Sequence, residues 1–176
     1  LDAEVRADTW AWDGASWRPV TEDGPPARFA NFLVYDPARR NLVLYGGHVV
    51  VEDGPLAVAD TWLWDSSGWR EVAADSAPGP RVNARAVFDP GPQRVLLVAG
   101  GSEAATLDDV WGWDGTSWTR LAEHALPPRQ AHGLAYDSTR QVLVLTGGLD
   151  QPGTAARHQD VWESAGTAFE RVYPPD

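Results

Sequence analysis

The stretch Asp60-Thr61-Trp62-Leu63-Trp64-Asp65, with Trp69 following, decides the fold because the chain writes it more than once. Asp8-Thr9-Trp10-Ala11-Trp12-Asp13 with Trp17 repeats it, as does Asp109-Val110-Trp111-Gly112-Trp113-Asp114 with Trp118. A fourth, worn copy reads Asp160-Val161-Trp162, with Ser164 and Phe169 where tryptophans stood. The lead tryptophans are 52, 49 and 51 residues apart, and a period near fifty marks an array of supersecondary units. All ten tryptophans belong to the pattern. None is left over for a separate aromatic site.

Between these phrases runs a second one. It goes from Arg28 through Phe32-Leu33-Val34-Tyr35-Asp36-Pro37 to Leu42-Val43-Leu44-Tyr45-Gly46-Gly47. The later copies run from Arg81 to Gly100-Gly101 and from Arg129 to Gly147-Gly148. Short runs of Val, Leu and aromatics bounded by Gly, Pro and Asp predict strands. In the first full unit these are strand a near Ala30 to Tyr35, b from Leu42 to Tyr45, c from Thr61 to Trp64 and d from Trp69 to Val72. The a-to-b turn reads as one residue longer in the second copy. Asp13-Gly14 and Asp114-Gly115 supply hairpin chemistry between c and d, since Gly tolerates positive φ. Trp10 and Trp12, two apart on a strand, share one face. That much apolar area demands a neighbouring sheet, so the lead tryptophans are expected between units.

Repeated four-stranded antiparallel units of this length form β-propellers. The Arg opening strand a, the paired glycines after b and the Asp-x-Trp-x-Trp-Asp-Gly-x-x-Trp phrase resemble kelch repeats, especially the bacterial kind, as in the central domain of galactose oxidase. The resemblance runs from Asp8 to about Val172. It implies an all-β fold of propeller blades in one array over residues 1–176: a half blade at 8–20 and full blades at 28–72, 81–121 and 129–172. The fourteen strands so counted make three and a half blades and close no ring. A start at Leu1 in a chain without methionine suggests a processed polypeptide. A fragment of a longer propeller is the favoured expectation, ahead of half of a homo-oligomer.

Composition removes several chemistries. Cysteine, lysine, methionine and isoleucine are absent, which excludes disulfides, thiolate catalysis, cysteine-ligated zinc and Schiff-base lysines. The net charge of −11 argues against nucleic-acid partners, because phosphate backbones are repelled. No apolar run approaches the ~20 residues that cross a bilayer, and no N-terminal signal pattern precedes the repeat. An acidic chain without cysteine suits an extracellular or periplasmic setting.

Candidate site residues sit at two places. Arg28, Arg81 and Arg129 open strand a, the innermost strand of a propeller, and the resemblance implies that such arginines can bind acidic ligands; recurrence in every copy favours pairing between blades instead. Asp8, Asp60, Asp109 and Asp160 recur identically and read as structural, bonding nearby backbone. His132 belongs to strand a and is expected in the core. His48, His124 and His158 fall in b-to-c or d-to-a connections, which emerge on one face with Glu52, Asp53, Glu103, Asp150 and Asp160, a placement that permits a metal or acid-base site. They come from different units at no ligand spacing, so no metal or other cofactor is expected. The b-to-c connections 48–59, 102–107 and 149–159 are the long ones, and long loops on one side of a rigid array build binding surfaces. The expected function is a non-catalytic interaction module that holds a protein segment or a carbohydrate on this face, with Arg28, Arg81, Arg129, His48 and His158 as candidate contacts. The resemblance leaves two alternatives: a sugar-acid isomerase or epimerase, and a structural half-propeller completed by another chain. A copper-radical oxidase is excluded, since its cysteine–tyrosine cross-link has no cysteine here.

Overall fold

The computed structural model describes residues 5–74, 76–150 and 156–173. Among the described residues there are no helices, and 53% are in strand, in five antiparallel sheets of two to four strands, none closed into a ring. Strands β1 (Thr9–Trp12) and β2 (Trp17–Thr21) form the half blade. After the short β3 (Arg28–Phe29) comes blade one, made of β4 (Phe32–Asp36), β5 (Asn41–Tyr45), β8 (Thr61–Asp65) and β9 (Gly68–Val72). Inserted within it, β6 (His48–Val51) and β7 (Gly54–Ala57) pair with β3 as a separate three-stranded sheet. Blade two holds β10 (Arg85–Asp89), β11 (Arg94–Gly101), β12 (Thr106–Trp113) and β13 (Trp118–Ala122). Blade three holds β14 (Gly133–Asp137), β15 (Val142–Thr146), β16 (Val161–Ser164) and β17 (Glu170–Tyr173).

The turns follow from aspartate chemistry. Asp36 Oδ1 accepts the N–H groups of Ala38 and Arg39, and Asp137 Oδ1 those of Thr139 and Arg140. Asp13 and Asp114 do the same between c and d. A short acidic side chain that bonds its own backbone two and three residues on is what starts such turns. Arg40, Gln93 and Gln141 then adopt positive φ at the same place in each a-to-b turn. The three turns are therefore equal in length. The extra residue expected in the second copy is a misalignment, because Leu44, Leu97 and Leu145 all stand opposite a lead tryptophan. The residues matching Gly46-Gly47 are accordingly Ala99-Gly100, and Ala99 takes φ 53° where Gly46 takes 65°.

Blades stack face to face, and the stacking makes the core. Phe32, Val43, Tyr45 and Leu63 of blade one bury against Ala84, Val95, Leu97, Trp113 and Trp118 of blade two. Leu96, Val98 and Val110 of blade two bury against Leu143, Leu145 and Phe169 of blade three. Trp113 and Trp118 lose all or nearly all contact with water, whereas the lead tryptophans Trp62, Trp111 and Trp162 are half-buried and Trp10 is exposed. Burial thus falls on the second and third tryptophans of blade two rather than on the lead ones. Each lead residue donates its indole N–H to the aspartate two positions before it. In the bends that lead into the first strand of each blade, Asn83 N donates to Ala30 O at 2.8 Å and Ala131 N to Asn83 O at 2.9 Å. All three have φ between 53° and 58°, a conformation costly for alanine and kept only where the surroundings enforce it.

Candidate functional site

Each full blade carries the same three-residue unit. Arg28 donates through Nη1 and Nη2 to the two oxygens of Asp60, both at 2.7 Å. Arg81 holds Asp109 at 2.8 and 3.1 Å, and Arg129 holds Asp160 at 2.8 and 3.0 Å. Each aspartate also accepts an indole N–H, from Trp62, Trp111 or Trp162, at 2.7 Å. Nη1 of each arginine donates to the carbonyl of Gly46, Ala99 or Gly147 as well, and Nε to a carbonyl two residues back. The arginine side chains are almost wholly buried. Burial alone would raise the aspartates, but the hydrogen bonds from the guanidinium and indole outweigh it and hold all three below the usual carboxylate range, Asp160 at about 2.

The pairing lies inside a blade, not between blades, and the guanidinium groups face aspartate rather than solvent. Between blades the link is backbone: Gly47 N donates to Arg81 O at 2.9 Å and Gly100 N to Arg129 O at 3.0 Å. A Cβ on Gly46 would come within 2.6 Å of Arg81 O. The glycines are there for close approach, as the absence of a following Lys-Ser/Thr implies.

The histidines are scattered. His48 lies on β6 with its ring 5.1 Å from Phe29 and a buried Nδ1 that meets no partner. His158 sits beside the blade-three unit, with Nε2 3.1 Å from Pro128 O and Nδ1 3.9 Å from Asp160. The candidates Arg28 and His48 therefore belong to blade one, Arg129 and His158 to blade three, and Arg81 stands between. His124 is exposed, and its bond to Asp108 at 2.7 Å raises its pKa. His132 is buried as expected, and burial, helped by Arg129 and Arg85, pushes it down to about 3. Among the described residues no three acidic or histidine side chains converge as a metal cage.

The loop face is more structured than a run of connections. Residues 48–57 fold as a hairpin turning through Glu52-Asp53-Gly54, with Gly54 at φ 112°. This finger exposes Val50, Val51 and Leu56, and Phe29 on β3 adds to the same small sheet. A β-branched run followed by Asp-Gly is a hairpin signal, so the element could have been found from sequence. Blade two has only a tight turn there, Ser102 Oγ accepting the N–H groups of Ala104 and Ala105. A cavity of about 370 Å3 lies between that turn, Thr106, Pro128 and Asp150. Part of the third connection, 151–155, lies outside the described residues.

A scan against protein-family models finds no match, and no curated protein matches the chain.

Proposed function

We propose that this chain is a non-catalytic, kelch-like interaction module that holds a polypeptide segment against its loop face, at the finger of β6 and β7. The supporting observation is the finger itself. Val50, Val51 and Leu56 stand exposed on a hairpin held by β3, and protruding apolar side chains on a rigid scaffold are suited to partner contact. The arginines contribute by fixing the scaffold, since the aspartates already take their charge. That weakens the sugar-acid isomerase alternative, which needs a guanidinium free to anchor a carboxylate.

The test is a screen of peptide and glycan arrays with the wild-type chain and a Val50→Asp/Leu56→Asp variant. Peptide hits that weaken about tenfold or more in the variant, with unchanged far-UV circular dichroism, are the expected outcome. Hits that survive the double substitution, or only glycan hits, would overturn the reading.

A further inference from the structure

The two seams between full blades differ at the a-to-b and c-to-d turns, on the side away from the finger. In the first seam Arg39 of blade one reaches across. Its Nη1 donates to Asp36 Oδ2 at 2.8 Å and to the carbonyl of Gln93 in blade two at 2.9 Å. The guanidinium lies against Gly115 so closely that a Cβ there would collide with it. Trp113, two residues before that glycine, packs into the seam and is fully buried.

In the second seam both plugs are gone. By strand register Pro92 takes the place of Arg39, and Ser164 that of Trp113. A cavity of about 400 Å3 opens where they would be. It is lined by the counterparts of what Arg39 touches: Asp89 for Asp36, Gln141 for Gln93 and Gly166 for Gly115. Tyr136 and Leu143 add an apolar wall.

Asp89 is only 8% exposed, yet among the described residues it accepts no hydrogen bond. Asp36 and Asp137 each take two N–H groups from the turn that follows them, whereas Pro92 has no N–H to give. Arg94, also in the cavity wall, stands with Nη2 3.5 Å from Asp89 Oδ2. That ion pair is looser than the 2.8 Å of Arg39 to Asp36 and engages one oxygen. A carboxylate drawn out of water without hydrogen bonds is costly. Oδ1 therefore remains an acceptor in want of a donor.

We propose that this cavity binds a guanidinium group on an aliphatic stem, as an arginine side chain presents it. The guanidinium occupies the position that Arg39 holds in the first seam, donating to Asp89 Oδ1 and to the Gln141 carbonyl above Gly166. The stem lies along Tyr136 and Leu143, and Arg94 keeps Oδ2. An anion does not suit the site, because Asp89 lines it and the Nε of Arg94, which meets no partner, is buried. The net charge of −11 also draws cations toward the surface.

The site shares no residue with the finger and is tested separately. N-acetyl-L-arginine amide is titrated into the isotope-labelled whole chain, and amide shifts are read by NMR. Saturable shifts centred on Gly91, Gln141 and Gly166 are expected, with a Kd of about 1 mM. N-acetyl-L-lysine amide should bind about tenfold or more weakly, since a point charge cannot bridge carboxylate and carbonyl as a planar fork does. Asp89→Asn should weaken arginine binding by about tenfold. Pro92→Arg, which restores the plug of the first seam, should abolish binding and raise the melting temperature. Val50→Asp/Leu56→Asp should leave binding unchanged, so failure at the finger and failure here are distinct results. Free L-arginine is titrated in parallel: tighter binding of the capped compound assigns the site to an arginine within a polypeptide, and tighter binding of the free one to the amino acid. Absence of saturable shifts, equal affinity for the lysine compound, unchanged affinity of Asp89→Asn, or full binding by folded Pro92→Arg would each overturn the proposal.

Discussion

The two seams of the array solve one problem with different chemistry. Between blades one and two, Trp118 inserts its indole and donates Nε1–H to Thr61 Oγ1 at 3.0 Å, both residues buried. Between blades two and three, the same two positions hold Phe169 and Val110, also buried and without a polar atom in either side chain. Donor and acceptor disappear together. A buried N–H without a partner costs more than the bond earns, so replacing both members is tolerable where replacing one is not. The half blade repeats the polar version, Trp69 donating to Thr9 at 2.8 Å with the tryptophan only half-buried.

Acid should produce the largest effect, because it attacks the arginine–aspartate pair that each full blade contains. Asp60, Asp109 and Asp160 titrate lower in the folded chain than in the unfolded one. Their contribution is complete above roughly pH 4 and is lost as pH falls toward 2. Melting temperature measured from pH 5 to 2 should drop steeply through that window; a flat profile would mean that the arginine pairs add nothing. Trp118→Ala comes next, at about 3–5 kcal/mol in urea unfolding, and should exceed Trp69→Ala at the equivalent but wetter place.

Smaller effects discriminate between the seams. Thr61→Val strands the Trp118 N–H in the core and should cost about 1–3 kcal/mol. Adding Trp118→Phe, which copies the second seam into the first, should recover much of the polar penalty in a double-mutant cycle. If the double variant is merely the sum of its parts, the joint-replacement argument fails. Smallest of all, Trp69→Phe should change stability by less than about 1 kcal/mol, because water reaches that indole.

How much of this could be read from the chain depends on where a residue's partner lies. Strands a to d were legible because the tryptophan phrase and the Asp-initiated turns are local signals. The residues at Phe32–Asp36, Asn41–Tyr45, Thr61–Asp65 and Gly68–Val72 fold within two positions of the expected limits. The finger was lost by reading every interval between phrases as a connection, although Val49-Val50-Val51 and Asp53-Gly54 announce it. Recurrence marked Arg28 and Asp60 as structural without showing that they bind each other, since a partner 32 residues away leaves no periodic trace. The one-residue error at Gly100-Gly101 has a different cause. Pattern matching prefers two glycines, whereas the backbone requires only positive φ at Ala99, where the Cβ is tolerated.

The simple order of the strands, which follow chain order within every blade with only the β6–β7 hairpin inserted in blade one, carries a consequence for biosynthesis. Contacts close over short spans of chain, a topology that folds fast, and each meander can set before the next leaves the ribosome. Every new blade shields the trailing face of the one before it. Leu33 and Tyr35, however, look the other way, toward residues made earlier. No blade synthesised later in this stretch covers them, so the order of synthesis shields the trailing face of a blade and leaves this leading face to residues already made.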